Sequence, residues 1–427
     1  MSRVKGLLQS AFRHLIPEPV DRKPMSWCFF KHATPAILGL FLLAYLARRQ
    51  KTRSLRIALL PIVIFETLKA SFGFYLTQPS LNIDNWALCE GDSILRYAVL
   101  MKSVLALWGE VVIVKALELG LTKHCRRKLG ESSPGGMKQS AGPQGKAEVA
   151  ERDYGDLDIQ RPAWLRFIPT WLREAIELCG SMRGIGWDFG VGAFVPAHQR
   201  PLQRAPFIRA TIYSIIQNTI ILDILDSFLK LLPGVGDTSG GSIFYPQLPP
   251  LQRYAVSTAI QFVSSFCLIE GFAICYDSLT LFGVVALNEP PSSWPPLMNN
   301  PWASTSLHEF WAKRWHQLMR RTFIVAGGFP GKFIAGNTGM VFGTFIASGL
   351  FHELAIYTMG RGLDYRVVLF FAIQGPLLTV ESYWRKLTGK MVGGWAGRIW
   401  VFLVLCVLGQ GLSECTPHVP RNSHLIA

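Results

Sequence analysis

The chain has 427 residues, of which 50% are hydrophobic and only 17% are charged, well below the roughly 25% charged residues of an average soluble chain. Its net charge of +15 lies in short runs between apolar segments, such as residues 48–56 and 124–128, and is not gathered in one polar region. This pattern argues against a nucleic-acid-binding protein and favours a membrane protein with cationic flanks.

Apolar segments long enough to cross a bilayer recur along the chain. A crossing needs about 20 mostly apolar residues, and by that measure we predict about eight transmembrane helices. They are expected near residues 33–47, 56–77, 96–120, 207–232, 254–287, 336–360, 367–384 and 396–413. The predicted fold class is therefore all-α, a polytopic membrane helical bundle, in which the first span is short enough to be only partly inserted.

The same segments divide the chain into regions. An amphipathic, basic tail (1–32) precedes the first three spans (33–120), and a polar loop (121–206) follows, of which residues 130–150 are predicted to be disordered. The remaining regions are spans four and five (207–287), a second loop (288–335), the last three spans (336–413) and a C-terminal tail (414–427).

The distribution of Lys and Arg predicts an orientation. The loops after spans one, three, five and seven are rich in Lys and Arg, whereas residues 81–92 and 233–250 contain none, so the former loops are predicted to face the cytosol. The tail before the first span breaks the alternation, since it also carries six Lys and Arg residues. Either the first span is re-entrant or the tail is an exception.

Ionisable residues inside spans are costly, so each is a functional candidate unless a neighbour neutralises it. Glu66 with Lys69 and Glu110 with Lys115 are close enough along a helix to be interpreted as such pairs. Two further pairs of carboxylates share helix faces, for which a packing or helix-end role is favoured over the lining of a cavity. They are Asp223 with Asp226 and Glu270 with Asp277.

The segment 347–360 contains the sharper signal. His352 and Glu353 lie in the middle of a span that has no Lys or Arg before Arg361. Imidazole titrates near neutrality, and a neutral imidazole can accept the proton of an alcohol as a general base. The residues alone support two interpretations equally, a catalytic base and a histidine that is bonded between helices for packing.

A basic aromatic segment, residues 305–323, precedes that span. As a helix it would stack Trp311 on Trp315 at i, i+4 spacing, which is typical of a helix at the membrane interface. Alternatively it is a lid that brings His316 toward His352 while its cations hold the phosphates of an anionic cofactor. The cations of this segment are Lys313, Arg314, Arg320 and Arg321.

Other motifs are weaker. Gly339 and Gly343 form a GxxxG pattern, which predicts close helix packing that seats the helix of His352. The chain contains neither a P-loop nor a GxSxG nucleophile elbow. The eight cysteines form no CxxC pair, so neither a zinc site nor a disulfide framework is predicted, and no bound metal or cofactor is expected.

The segment FWAKRWHQ (310–317), followed by SGLFHE (348–353), resembles the wax-synthase-like branch of the membrane-bound O-acyltransferase superfamily, and in particular its fungal terpenoid and meroterpenoid acetyltransferases. RGIGWDFGV (183–191) is also similar to that branch. The resemblance implies an internal substrate tunnel, an acyl-CoA donor and an alcohol acceptor. It assigns His352 as the base that activates the hydroxyl, and His316 as a second catalytic residue at a position that is often Asn in relatives.

From the resemblance we predict an acyl-CoA-dependent O-acetyltransferase that acts on a hydroxyl of a hydrophobic secondary metabolite in the endoplasmic reticulum membrane. Its partners would be acetyl-CoA as co-substrate, the alcohol and membrane lipid, with no nucleic acid; the oligomeric state is open. The residues predicted to bind substrate are Trp311, Trp315, Gln317, Ser348 and Glu353. The residues predicted to bind CoA are Lys313, Arg314, Arg320 and Arg321.

Three alternatives stay open at this point. One is a long-chain acyl-CoA:alcohol acyltransferase that makes wax or sterol esters, because acyl chain length depends on packing that a sequence does not reveal. Another is a proton-coupled transporter with His352 and Glu353 as relay groups, although no two related halves are detected. The third is an inactive lipid-binding scaffold.

Overall fold

The computed structural model describes residues 10, 12–18, 21–75, 93–131, 167–233, 235, 242–358 and 364–413; for residues 93–104 and 106 it describes the backbone alone. The predicted disorder of residues 130–150 therefore lies almost wholly outside the described residues, as does the C-terminal tail (414–427).

The described chain is built almost entirely of helices, which confirms the all-α class. The α-helices are α1 (Trp27–Ala47), α2 (Arg53–Phe72), α3 (Ser93–Leu121), α4 (Thr170–Gly180), α5 (Arg204–Lys230), α6 (Pro250–Val285), α7 (Leu307–Glu309), α8 (Arg320–Phe323), α9 (Phe329–Thr358), α10 (Tyr365–Thr388), α11 (Gly394–Phe402) and α12 (Gln410–Ser413). Wider π-helical turns are π1 (Phe310–Arg314), π2 (Ile324–Gly328) and π3 (Leu403–Val407). Short 3-10 turns span Asp188–Gly190, Pro291–Ser293 and Pro301–Ala303. Strands β1 (Lys23–Pro24) and β2 (Phe74–Tyr75) pair in parallel.

Within the described ranges, five helical segments are long and apolar enough to cross a membrane. They are Trp27–Ala47, Arg204–Lys230, Pro250–Ala286, Arg320–Tyr357 and Tyr365–Thr388. On α5 the exposed side chains include Ile212, Ile216, Ile220 and Ile224, whose spacing of four residues forms one apolar stripe that lipid can cover. The chain is a multi-pass membrane protein, and the predicted count of about eight spans is not confirmed.

The first span is longer than predicted. Helix α1 has 21 residues, which is enough to cross a bilayer, because it begins six residues before the predicted start. The basic tail packs against the C-terminal end of α9, where Arg13 donates to the Tyr357 hydroxyl at 3.0 Å. Arg13 also pairs with Glu18 of the tail itself, at 2.9 Å.

One charge pairing in this region differs from the prediction. Glu66 on α2 lies 2.7 Å from the Nδ1 atom of His32 on α1, while Lys69 donates to the backbone carbonyl of His14. The predicted pairing of Glu66 with Lys69 was therefore wrong, because tertiary contacts offered each group a nearer partner than its own helix did.

A sharp turn divides the segment 320–358 into two arms. The helical conformation is interrupted at Ala335 and at Gly336, whose φ of 61° is left-handed, a conformation that glycine adopts without strain. The chain reverses there, so residues 320–334 run antiparallel to residues 337–358. At 1.5 Å per residue the second arm is about 33 Å long and can cross a bilayer by itself, whereas the first arm, at about 22 Å, cannot.

Four glycines hold the two arms together. Gly327 lies against Gly343, and Gly331 lies against Gly339, so closely that a methyl group on any of them would collide with the opposite backbone. The close packing predicted from the GxxxG pattern is confirmed, and its partner is a second GxxxG pattern in the first arm. This hairpin fixes the position of the helix that carries His352.

Candidate active site

The glycine hairpin brings the two predicted catalytic histidines together. Its register pairs residue 327 with 343 and residue 331 with 339, and Phe323 of the first arm contacts Phe351 and His352 of the second. His316 precedes the first arm and His352 lies in the second arm. Burial first, and the nearby His352 second, lower the pKa of His316 to about 4. His316 is therefore neutral at physiological pH.

His352 is held in one orientation by its own helix and by a stacked ring. Its Nδ1 atom lies 2.7 Å from the backbone carbonyl of Ser348. Because a carbonyl oxygen only accepts, Nδ1 carries a proton, and in the neutral imidazole Nε2 is then the unprotonated nitrogen. The ring stacks on Phe371 of α10 with centroids 4.3 Å apart and planes at 20°. The site thus presents a basic nitrogen within an apolar, aromatic surrounding.

His316 lies among aromatic rings as well. Its ring centroid is 5.1 Å from that of Trp315 and 5.2 Å from that of Phe272 on α6. Within the described residues its buried Nδ1 atom has no hydrogen-bond partner. A buried polar atom without a partner is costly, so this nitrogen is available to a ligand.

The segment before His316 adopts a π-helical turn, which explains why the predicted continuous helix does not form. The Trp315 N–H donates to the Phe310 carbonyl at 2.8 Å, five residues back, and the helical conformation ends at Arg314. Trp315 consequently stacks on Phe310, with centroids 5.4 Å apart, while Trp311 meets Trp315 edge-on. Such wide turns are frequent at functional sites.

Gln317 stabilises this turn through hydrogen bonds to its backbone. Its side-chain amide donates to the carbonyls of Trp311 at 2.9 Å and Trp315 at 2.8 Å. The side chain is 4% exposed. Gln317, for which substrate binding was predicted, therefore supports the backbone of the two tryptophans.

Two polar residues of α10 that sequence reasoning missed position the same segment. The Trp311 indole donates to Gln374 at 3.1 Å. The carboxylate of Glu381 accepts the backbone N–H groups of Leu307 and His308 at 2.7 and 2.9 Å. Gln374 and Glu381 are seven residues apart and therefore share one helix face, which is the signal that could have found them.

The four predicted CoA-binding cations fall into two groups. Arg314 pairs with Glu309 at 2.7 Å and also donates to the Asn299 carbonyl. Arg321 forms an ion pair with Glu118 of α3. Lys313 and Arg320 are exposed. The two groups therefore differ in that Arg314 and Arg321 are held in ion pairs, whereas Lys313 and Arg320 have exposed side chains.

Glu118 of α3 collects three cations. It lies 3.4 Å from Lys115, 3.0 Å from Arg126 and 2.8 Å from Arg321. The predicted pairing of Lys115 with Glu110 was wrong, because Glu118 is one helical turn away and shares the pocket with the other two cations. This cluster ties the first arm of the hairpin to α3.

Glu353 follows His352 in the second arm. Its carboxylate accepts the backbone N–H of Asp364, immediately before α10. It therefore joins the end of the second arm to the start of the next helix. No group of His, Cys, Asp and Glu side chains with metal-binding geometry occurs in the part of the chain that the structure describes.

Comparisons with known proteins match the region of the chain that contains both histidines. A sequence profile of the Membrane bound O-acyl transferase family matches residues 294–373, which include both histidines. The chain is 26% identical to the O-Mevalon transferase yanI of Aspergillus niger over 49% of this chain and 52% of that protein. It is 24% identical to the acetyltransferase sirH of Emericella nidulans over 54% of this chain and 56% of that protein.

Plant proteins match a shorter region. The chain is 34% identical to the Acyl-CoA--sterol O-acyltransferase 1 of Arabidopsis thaliana over 21% of this chain and 29% of that protein. The chain thus spans about half the length of the fungal relatives, and less of the plant relative.

Proposed function

We propose that this chain, which belongs to the membrane-bound O-acyltransferase family, transfers an acyl group from acyl-CoA to the hydroxyl of a hydrophobic alcohol. The observation that carries the proposal is the fixed tautomer of His352, whose Nδ1–H donates to Ser348 and whose Nε2 is left basic. The second is the neutral His316 beside it. Both lie within the region that matches the family.

The chemistry assigned to these residues is direct transfer. Nε2 of His352 takes the hydroxyl proton as the alcohol oxygen attacks the thioester carbonyl. The carbon–sulfur bond then breaks, and the CoA sulfur leaves with the proton that His352 returns to it. A neutral His316 can donate one N–H to the carbonyl oxygen as negative charge develops there. The apolar rings around both histidines exclude water that would compete as an acceptor.

For the donor we propose acetyl-CoA, and for the acceptor a terpenoid or meroterpenoid secondary metabolite, in the endoplasmic reticulum membrane. Support comes from the names of the fungal relatives, several of which are acetyltransferases. Lys313 and Arg320, the exposed cations next to His316, are proposed to contact the CoA phosphates. The short acetyl group needs no long apolar channel of its own.

The second candidate is transfer of a long acyl chain to a sterol or fatty alcohol. It is favoured by the similarity to the Arabidopsis sterol acyltransferase and to a probable long-chain-alcohol O-fatty-acyltransferase. Microsomes that contain the chain, supplied with acetyl-CoA or palmitoyl-CoA and a panel of terpenoid, sterol and fatty alcohols, distinguish the two. Ester formation with palmitoyl-CoA alone would reject the acetyltransferase.

The role of the base is tested by His352→Ala. We expect ester formation to fall by about 10²- to 10⁴-fold, the usual contribution of a positioned general base, while membrane insertion is retained. The matched control is His308→Ala, since His308 is an exposed histidine of the same region and its substitution should leave the rate unchanged. Undiminished esterification in His352→Ala would contradict the mechanism.

A further inference from the structure

A cavity lies between α5, α6 and two stretches of loop, residues 198–200 and 294–298. It has a volume of about 210 Å³, which is roughly seven times the 30 Å³ that a water molecule occupies in the liquid. Most of its wall is hydrocarbon. The apolar side chains that line it are those of Phe207, Ile269, Ala273, Trp294, Leu297 and Met298.

The charged groups of the cavity neutralise one another. Arg200 makes two bonds to the carboxylate of Asp277, at 2.8 and 2.7 Å, and a third to the Thr211 hydroxyl at 3.2 Å. Asp277 thus lies at the cavity wall and is bonded there to Arg200. With its one ion pair closed on itself, the cavity suits an uncharged ligand rather than the phosphates of CoA.

Two further polar side chains of the wall are engaged in hydrogen bonds. The Tyr276 hydroxyl donates to the Pro295 carbonyl at 2.6 Å and accepts from Arg183 at 2.7 Å. His198 donates through Nε2 to the Ser292 carbonyl at 3.1 Å. The wall is therefore held rigid by internal bonds, and what it offers to a ligand is chiefly apolar contact.

One face of α6 connects the cavity to the histidines. Ile269, Ala273 and Tyr276 line the cavity. Phe272, which is not one of the lining residues, lies beside them on α6, three residues after Ile269 and four before Tyr276. The Phe272 ring is also the one that contacts His316, with centroids 5.2 Å apart. Phe272 is thus both a neighbour of the cavity-lining residues on α6 and a contact of His316.

The loop on the other side gives a second connection. Met298 lines the cavity, and the N–H of the next residue, Asn299, donates to the Arg314 carbonyl at 2.9 Å, within two residues of His316. A backbone hydrogen bond therefore joins the loop of the cavity wall to the segment that leads to His316.

We infer that this cavity binds the apolar body of the acceptor alcohol and that Phe272 is the residue that sets how large that body can be. The inference rests on the proposed function, because it places the hydroxyl end of the acceptor on the His316 side of Phe272. The occupant is an uncharged hydrocarbon or terpenoid-like group. A long acyl tail of the donor has similar chemistry and is distinguished by the kinetics.

The kinetic test fills the cavity. Ala273→Leu adds three carbons to its wall, and the matched control is Cys275→Leu, an exposed position two residues along α6. We expect the KM for a terpenoid alcohol to rise about five- to tenfold in Ala273→Leu, the effect of crowding a packed site, with the KM for acetyl-CoA unchanged. Phe272→Ala is expected to shift preference toward bulkier alcohols.

A binding test separates this inference from the proposed function. The purified chain is labelled without acyl-CoA by an aliphatic alcohol that bears a photoreactive diazirine. We expect labelling within residues 269–298 that Ala273→Leu weakens and Cys275→Leu does not. If the wild-type chain shows this labelling and yet transfers no acyl group, the proposed function fails and the cavity assignment stands.

The opposite outcomes overturn the assignment. If the wild-type chain forms esters but Ala273→Leu changes neither labelling nor the KM for the alcohol, the acceptor binds elsewhere. If Ala273→Leu alters only the preference between acetyl-CoA and palmitoyl-CoA, the cavity holds the donor chain instead.

Discussion

The carboxylate of Glu381 accepts the backbone N–H of Leu307 at 2.7 Å and so joins α10 to the segment that leads to His316. The same oxygen accepts the indole N–H of Trp400 at 3.0 Å, and the second oxygen accepts the N–H of His308. A side chain that is 7% exposed thus satisfies three donors of two different segments. Three donors therefore depend on the two oxygens of this one side chain.

Glu381→Gln tests that dependence. The amide keeps one accepting oxygen but sets an NH₂ group against the His308 N–H, so one charge-assisted bond is lost. We expect the free energy of unfolding to fall by about 1.5–3 kcal/mol, measured by thermal unfolding in detergent. Lys386→Gln, an exposed change on the same helix, is the control. Equal stability of the two variants would show that Glu381 does not position the segment.

The exposed and the paired cations should behave differently. Lys313→Gln removes an exposed charge, and we expect the KM for acyl-CoA to rise up to about fivefold, with less effect at high salt and no loss of stability. Arg314→Gln removes the donor to one Glu309 oxygen and to the Asn299 carbonyl, so thermal stability should fall. Kinetics at two salt concentrations, with unfolding curves, check both variants. A raised KM for Arg314→Gln at full stability would contradict this division.

The glycine contacts of the hairpin predict opposite effects for two Gly→Ala changes. Gly331→Ala sets a methyl group into the backbone of Gly339, so the arms must separate and the unfolding temperature should fall. Gly271→Ala lies on α6 with open space around the new methyl group, and helix propensity favours Ala by about 0.5–1 kcal/mol. Thermal unfolding of both variants is the measurement. A Gly331→Ala protein as stable as the Gly271→Ala protein would contradict the antiparallel contact.

The low pKa of His316 predicts how stability depends on pH. In the unfolded chain a histidine takes up its proton near pH 6.5, whereas burial and His352 keep His316 neutral down to about pH 4 in the folded protein. Between these values the unfolded state binds more protons, so the free energy of unfolding falls as the pH is lowered from 6.5 toward 4.

His316→Asn removes that titration, and the fall should be shallower than in the wild-type protein. Unfolding curves in detergent between pH 7 and pH 4 measure it. His308→Asn, which changes an exposed histidine of the same region, should retain the wild-type slope. A slope unchanged in His316→Asn would show that His316 is already charged in the folded protein.

Several features of the site followed from the sequence because they depend on local pattern. The apolar span around His352, the basic aromatic segment before it and the GxxxG pattern are each contained within a few turns of chain. The all-α class was also predictable, although the count of about eight spans is not confirmed and α1 begins six residues before the predicted start.

The features that were missed depend on contacts between distant segments. Glu66 contacts His32 and Lys115 contacts Glu118, because those groups are nearer in space than the predicted partners. The continuous helix expected for residues 305–323 gave way to a π-helical turn that Gln317, Gln374 and Glu381 stabilise from outside it. Periodicity reports which face of a helix is apolar, but it does not report what that face meets.

By itself the sequence determined that the chain lies in a membrane, that His352 and His316 are its candidate catalytic residues, and that close glycine packing seats the helix of His352. Only the tertiary structure decided that the partner of that glycine pair is the preceding arm, which brings the two histidines together, and that Arg314 and Arg321 are bound in ion pairs. It also decided that Phe272, more than forty residues upstream, contacts His316. The physical reason is that composition and periodicity act along the chain, whereas ion pairing, ring contacts and cavities depend on distances that the turn at Ala335–Gly336 and the packing of α6 create.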